Sequence, residues 1–288
     1  MENRFKVYTL FIFCTLLTVA SCESQQQRYP SPSGYNLAKP KIYKMPSILR
    51  EISGVTFDQL NGDTLFAEQD ENGKVFHFKL GDRNIQATRF FKNGDFEDIA
   101  ICNHYVVMLR SDGVLFSFPV SETSKTETSQ VKVFENILPS GEYEGLASAD
   151  AMGRIYVLCK HCNSEKSKKW GGGSILQVDA SGNLSLFGNF EIDIKSIDAA
   201  ADAHKIVFHP SALAQNPFTR DWFVLSSVNK LLVITDENWK VKSVYPLDPS
   251  VFNQPEGIAF DRQQNLYISN EIGERAAATV LVFSYRHS

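Results

Sequence analysis

The sequence has little of what many functional classes require. It has no basic excess: 29 lysines and arginines stand against 33 aspartates and glutamates, for a net charge of −4. A nucleic-acid partner needs cations that displace phosphate counterions, so no nucleic-acid partner is expected. Five cysteines in 288 residues are too few for a disulfide scaffold. There is no G-x-S-x-G nucleophile motif and no glycine-rich phosphate loop. Gly171-Gly-Gly173 precedes a strand rather than a helix and reads as a flexible turn. None of the six histidines forms an H-x-x-x-H pair. Cys159-Lys-His-Cys162 is a lone C-x-x-C with no second pair to complete a zinc site. It is either a local disulfide of an exported protein or an unbonded strand cysteine and loop cysteine, while Cys102 reads as a core strand residue. What the chain does have is apolar content, 43%, which excludes an intrinsically disordered chain.

The N-terminus carries an address. Arg4 and Lys6 precede an apolar run from Val7 to Val19. That run is shorter than the roughly 20 residues a membrane span needs and fits a secretory signal. It ends in Val19-Ala-Ser-Cys22, which resembles a bacterial lipobox, where cleavage precedes the cysteine and its thiol is lipidated. The alternative is ordinary secretion with cleavage near Ala20. The lipoprotein reading gives a signal peptide over residues 1–21, lipidation at Cys22 and attachment to a membrane of the cell envelope through lipid. Residues 22–40 are polar and rich in Pro, Ser and Gln, and read as a flexible tether. The globular domain then spans residues 41–288.

One small motif recurs through that domain. Its copies are Glu51-Ile-Ser-Gly54, Asp95-Phe-Glu-Asp98, Glu142-Tyr-Glu-Gly145, His209-Pro-Ser-Ala212 and Gln254-Pro-Glu-Gly257. The third residues, Ser53, Glu97, Glu144, Ser211 and Glu256, are spaced by 44, 47, 67 and 45. The long step has room for a short helix over 194–203 and a loop over 164–173. Between motifs lie short β-branched and aromatic runs separated by Gly, Asn and Asp, such as Tyr105–Leu109, Val114–Phe118 and Asn265–Ser269. Four strands per unit of about 40–45 residues is the arithmetic of a propeller blade. The spacing therefore predicts an all-β, five-bladed β-propeller of four-stranded blades. The last unit runs out after three strands, and an unpaired edge is a liability. Residues Ile42 to Met45 are expected to supply its outer strand and close the ring.

These five motifs, in order and at blade spacing, resemble those of the SdiA-regulated family over about residues 40–288. The resemblance implies a five-bladed propeller, distantly similar to NHL-repeat proteins, with a calcium site near its central channel. It implies no established activity. In the fourth motif Ala212 stands where the family pattern has Gly, which puts backbone ligation by that blade in doubt.

Equivalent positions on a ring of blades face one axis, so Glu97, Glu144 and Glu256 are expected to converge at one channel mouth as candidate metal ligands. Convergent carboxylates repel, so some must take up protons or a cation must sit among them. Calcium suits an oxygen-only cluster, and Ser53 and Ser211 add hydroxyls. The alternative is that each Glu caps backbone N–H groups of a neighbouring blade or pairs with a nearby cation. A second acidic set, Glu68, Asp70, Glu71, Asp112 and Glu271, lies where second strands end, and Lys160 breaks it in the third blade. Acidic turns are common, so only Glu71 and Glu271 of this set are further channel candidates. Asp98 and His209 are the remaining ones. Three functions fit: an anchored, calcium-stabilised propeller binding a small-molecule or protein ligand; a calcium-dependent hydrolase such as a lactonase or phosphoesterase; or a structural scaffold. The scarcity of His and Asp beside the glutamates places binding first.

Overall fold

The computed structural model describes residues 29–58, 62–149, 152–162, 170–202 and 206–286. The signal peptide over 1–21 and the lipidation site Cys22 lie outside the described residues, as do His204 and most of the loop expected over 164–173. Among the described residues no helix is long and apolar enough to cross a membrane.

Among the described residues, twenty strands form five antiparallel four-stranded sheets. The first blade comprises β2 (Ile52–Phe57), β3 (Leu65–Gln69), β4 (Asn72–Phe78) and β5 (Gln86–Asn93). The second comprises β6 (Phe96–Cys102), β7 (Tyr105–Arg110), β8 (Leu115–Pro119) and β9 (Lys132–Phe134). The third comprises β10 (Gly141–Ser148), β11 (Arg154–Cys162), β12 (Trp170–Val178) and β13 (Leu184–Asp193). The fourth comprises β14 (Ala212–Gln215), β15 (Trp222–Ser226), β16 (Leu231–Thr235) and β17 (Val241–Pro246). The fifth comprises β18 (Pro255–Phe260), β19 (Leu266–Asn270), β20 (Thr279–Phe283) and β1 (Lys41–Lys44). β1 pairs with β20, Lys41 opposite Val282 and Lys44 opposite Thr279, so the N-terminal strand closes the last blade as its spacing predicts.

Each motif opens or begins an inner strand. The inner strands β2, β6, β10, β14 and β18 each touch the next, and β18 touches β2, which makes the structure a closed ring. Blades stack face to face, so their middle strands are buried on both sides and read as continuous apolar runs. Every residue of β15 and β16 is buried, whereas outer β17 has exposed positions. The core is therefore divided into interblade layers. Phe66 and Val75 pack on Phe96, Ile99 and Phe116 between blades one and two. Phe190 and Ile192 pack on Trp222 and Trp239 between blades three and four. Filling those layers is the main stabilising term, at roughly 1.5–3 kcal/mol for each large side chain fully buried.

Three local features differ from the sequence reading or refine it. The segment read as a tether is docked over its last residues: Tyr35 and Leu37 are buried, and the Tyr35 hydroxyl donates to Gln264 O at 2.7 Å. An aromatic and a leucine over blades four and five hold it there. Gly171–Gly173 is not a turn but part of β12, paired with both β11 and β13. A Cβ at Gly173 would lie 2.9 Å from Val157 C, so glycine lets the strand run through crowded backbone. The long step holds α1 (Ile194–Ala200), capped by the Asp193 side chain and anchored by buried Ile197.

Inner strands crowd one another at the motif's fourth residue. A Cβ at Gly54 would lie 2.6 Å from Asp98 Cα and overlap its Oδ1. Gly54→Ala is expected to lower stability by about 1–3 kcal/mol, as overpacking does. Urea unfolding of the full chain in mild detergent checks this, and an unchanged midpoint would contradict the crowding.

Candidate functional site

The channel mouth is built by three rings of equivalent positions. The motif's first residues are Glu51, Asp95, Glu142, His209 and Gln254, and its third residues are Ser53, Glu97, Glu144, Ser211 and Glu256. The residues that follow the second strands are Asp70, Ser111, Ser227 and Glu271, and in blade three Lys160, near the end of β11, takes this place. Antiparallel register brings the second and third of these rings together, since β18 and β19 pair through Pro255 and Asn270.

The three motif glutamates are brought together. Burial first, then the charges of Glu144 and Asp95, push the Glu97 carboxyl up to about 9, and Glu256 adds to this. Burial, partly offset by a hydrogen bond from Ser227, holds Glu256 at about 7. Burial also raises Glu144, opposed by its hydrogen bond from Lys160. Glu271 joins the cluster, pushed up to about 8 by burial and then by Glu256 and Asp70. Asp70 reaches about 6 through burial and the charges of Glu51 and Glu71. Glu71 itself is exposed on the turn between β3 and β4.

Cations oppose this charge on one side. Lys160 donates to Glu144 Oε1 and lies 3.2 Å from Glu142 Oε1. Burial disfavours its charge, but the bonds to Glu144 and Glu142 outweigh burial and hold its pKa above that of an ordinary lysine. Lys230 donates to Asn253 O at 2.6 Å and is felt by Glu256. His209 is half-buried, with its ring 5.0 Å from that of His161. Burial, His161 and Lys160 together lower its pKa.

A model of the SdiA-regulated family matches residues 33–273. The chain belongs to that family. A search of curated proteins finds no match. Among solved structures, this SdiA-regulated propeller is similar to a luciferin-regenerating enzyme, with 10% identity and TM-score 0.55 over 85% of this chain and 95% of that one. It is similar to the glutaminyl cyclase of Myxococcus xanthus at 12% identity and TM-score 0.54, over 86% and 96% of the two chains. It is also similar to regucalcin of Agrobacterium tumefaciens, a calcium-binding protein, at 12% identity and TM-score 0.50, over 89% and 96%. At these identities the likeness shows the fold.

Several candidates serve the SdiA-regulated ring rather than its channel. Ser53 Oγ donates to Glu97 O at 3.1 Å, and Ser211 Oγ donates to Pro255 O at 3.1 Å, so both hydroxyls tie one inner strand to the next. Asp98 is buried, accepting from Ile99 N at 2.8 Å and from Leu146 N at 2.6 Å across the blade boundary. Asp112 is bonded to Arg110 at 2.8 Å on an exposed turn. Glu68, read as a turn acid, is fully buried in β3 and accepts from Gly54 N at 2.6 Å. Burial raises the Glu68 and Asp98 carboxyls well above the ordinary range.

The residues suit a hard cation in part. Glu68 Oε2, Asp70 Oδ1 and Asn270 Oδ1 are buried oxygens without a hydrogen-bond partner among the described residues, and an oxygen-only donor set is what calcium takes. Among the described residues, however, no three His, Cys, Asp or Glu side chains are grouped as a finished metal cage. Glu144 is committed to Lys160, leaving Asp70, Glu97, Glu256 and Glu271 as the donors on the open side.

Carboxyls whose pKa rises on folding keep the folded state protonated where the unfolded chain is ionised. Their stabilising contribution is complete below the unfolded value, near 4.5, and is lost as pH climbs through about 6 to 9. In the absence of added cations, the melting temperature is expected to fall between pH 6 and pH 9. Glu97→Gln, which cannot ionise, is expected to melt about 2–4 °C higher at pH 9, the shift for about 1 kcal/mol in a chain this size. A wild-type profile that stays flat or rises over this interval would refute the charge convergence.

Proposed function

We propose that this chain is a lipid-anchored propeller of the bacterial cell envelope that binds a ligand or partner at its acidic channel mouth, with calcium held among the channel carboxylates. The run of mutually repelling carboxyls from Glu97 through Glu256 and Glu271 to Asp70 carries this reading. Like charges gathered in a half-buried site are stabilised by protons or by a cation, and a cation becomes the better solution as pH rises. Asp70, Glu97, Glu256 and Glu271 would hold calcium. Bound there, it would offer open coordination positions to a carboxylate or carbonyl of a ligand. The lipobox-like Val19-Ala-Ser-Cys22 supports membrane attachment through Cys22.

Calorimetric titration of the full chain with calcium in mild detergent is expected to show saturable one-site binding. Glu97→Gln and Glu256→Gln are expected to weaken it by at least about tenfold, roughly 1.4 kcal/mol. Glu144→Gln should have a smaller effect because that carboxylate already has Lys160. No binding in the wild type would contradict the calcium reading. Cys22→Ser is expected to move the chain from the membrane fraction to the soluble fraction, and membrane retention of this variant would contradict lipid anchoring.

A second reading is favoured by one observation: Glu256 at about 7 and Glu271 at about 8 fall where general acid–base groups work. That reading is a calcium-dependent hydrolase of lactones or phosphoesters, in which the ion would polarise the carbonyl or phosphoryl oxygen. Glu256 or Glu271 would then take a proton from water, and His209 stands on the same rim. Calcium-dependent turnover of such esters, lost in Glu256→Gln, would favour it over pure binding.

A further inference from the structure

Cys159 and Cys162 are joined by a disulfide, 5.9 Å apart at Cα. The ring it closes encloses two residues, Lys160 and His161. Both contact the acidic mouth: Lys160 donates to Glu144 and lies 3.2 Å from Glu142, and the Nδ1 of His161 lies 2.7 Å from Glu142 Oε2. The ladder explains how they reach it. Glu142 pairs with His161 but Tyr143 pairs with Cys159, so Lys160 has no opposite residue and is extruded by a bulge. This bulge lies near the end of β11, and beyond it only two pairs, Glu142 with His161 and Gly141 with Cys162, continue the ladder with β10. A strand end is the part of a sheet that frays most readily, and here a covalent bond spans it.

We propose that the Cys159–Cys162 disulfide is a redox-sensitive clamp that positions Lys160 and His161 over Glu142 and Glu144 and thereby sets how much negative charge the channel mouth presents. Its effect on cation affinity rests on the binding reading above. With the clamp closed, Lys160 neutralises the third-blade side of the mouth. With it open, the bulge loses its covalent tie, Lys160 leaves its partners more often, and Glu142 and Glu144 become available to a cation.

The disulfide is reachable. Cys159 is 5% exposed, whereas Cys162 is half-buried. Both line a cavity of about 420 Å³ between blades three and four, walled in part by Tyr143, Phe190 and Phe208. Reduction by a low-molecular-weight dithiol balances simply. One thiolate attacks Cys162 Sγ, the S–S bond breaks, and Cys159 leaves as a thiolate that takes up a proton. The second thiol of the reductant then displaces Cys162 and closes the reductant's own disulfide, so two electrons and two protons pass to the protein.

Two readouts on the full chain in mild detergent test this. Amine-reactive labelling quantified by mass spectrometry reports the freedom of Lys160 without reference to any ligand. Reduction by dithiothreitol is expected to raise Lys160 labelling about tenfold and to tighten calcium binding by a similar factor, within the ordinary range of coupling between sites. The double variant Cys159→Ser, Cys162→Ser should match the reduced chain without reductant, with an unchanged circular-dichroism spectrum. Lys160→Met should bind calcium tightly in both redox states. Equal Lys160 labelling before and after reduction, with the free thiols confirmed by mass, would overturn the clamp even where calcium binds. Labelling that responds while no form binds calcium would uphold the clamp and overturn the cation reading.

Discussion

Five inner strands approach one another so closely around the channel that a Cβ at Gly54 would lie 2.6 Å from Asp98 Cα and one at Gly257 would lie 3.1 Å from Val55 N. Much of the remaining chemistry answers that crowding. Backbone groups facing across blade boundaries need partners, because an unpaired buried polar group costs about 1–3 kcal/mol. Ser53, Asp98, Ser211 and Ser269 supply them, each bonding to the backbone of a neighbouring inner strand. The ring is thus fastened by short polar side chains as well as by apolar layers.

The same closeness concentrates charge. Acidic residues recur at the motif's first and third positions, so a closed ring gathers them at one mouth whether or not a ligand is present. Burial then disfavours ionisation, and each carboxylate raises its neighbours further. Blade three offsets part of this with a tethered cation, Lys160, which pairs with Glu142 and Glu144 while the Glu144 charge still raises Glu97. Among the described residues of blades one, two and five, no lysine or arginine forms an ion pair with Asp70, Glu97 or Glu271. The mouth is therefore asymmetric, neutralised on one side and acidic on the other, and the acidic side is where a proton or a metal ion lowers the free energy.

The motifs disclosed much of this architecture because a propeller repeats one local solution. Glu51-Ile-Ser-Gly54 and its four relatives mark the inner strands, and a missing twentieth strand pointed to Ile42 as closing partner. The convergence of Glu97, Glu144 and Glu256 followed from the same symmetry. What stayed hidden depends on contacts that break the symmetry. Lys160 reaches the mouth through a one-residue bulge that its sequence does not announce. Glu68 reads as a turn acid, yet it is buried in β3 and its side chain accepts from Gly54 N. Tyr35 lies in a polar stretch without apolar period, yet its ring packs on Phe223, Phe260 and Tyr285. The serines were legible as channel-facing positions, but not as ties between strands, because their acceptors belong to the next blade.

The convergence of charge is the central claim, and carboxyl-carbon NMR of the full chain with labelled glutamate tests it most directly. Glu97 is expected to titrate near 9, Glu271 near 8 and Glu256 near 7. Saturating calcium is expected to bring all three back toward the ordinary carboxylate range. If the three instead titrate together below about 5 without added ions, within the ordinary spread for glutamate, their carboxylates do not share a desolvated mouth and the account is wrong.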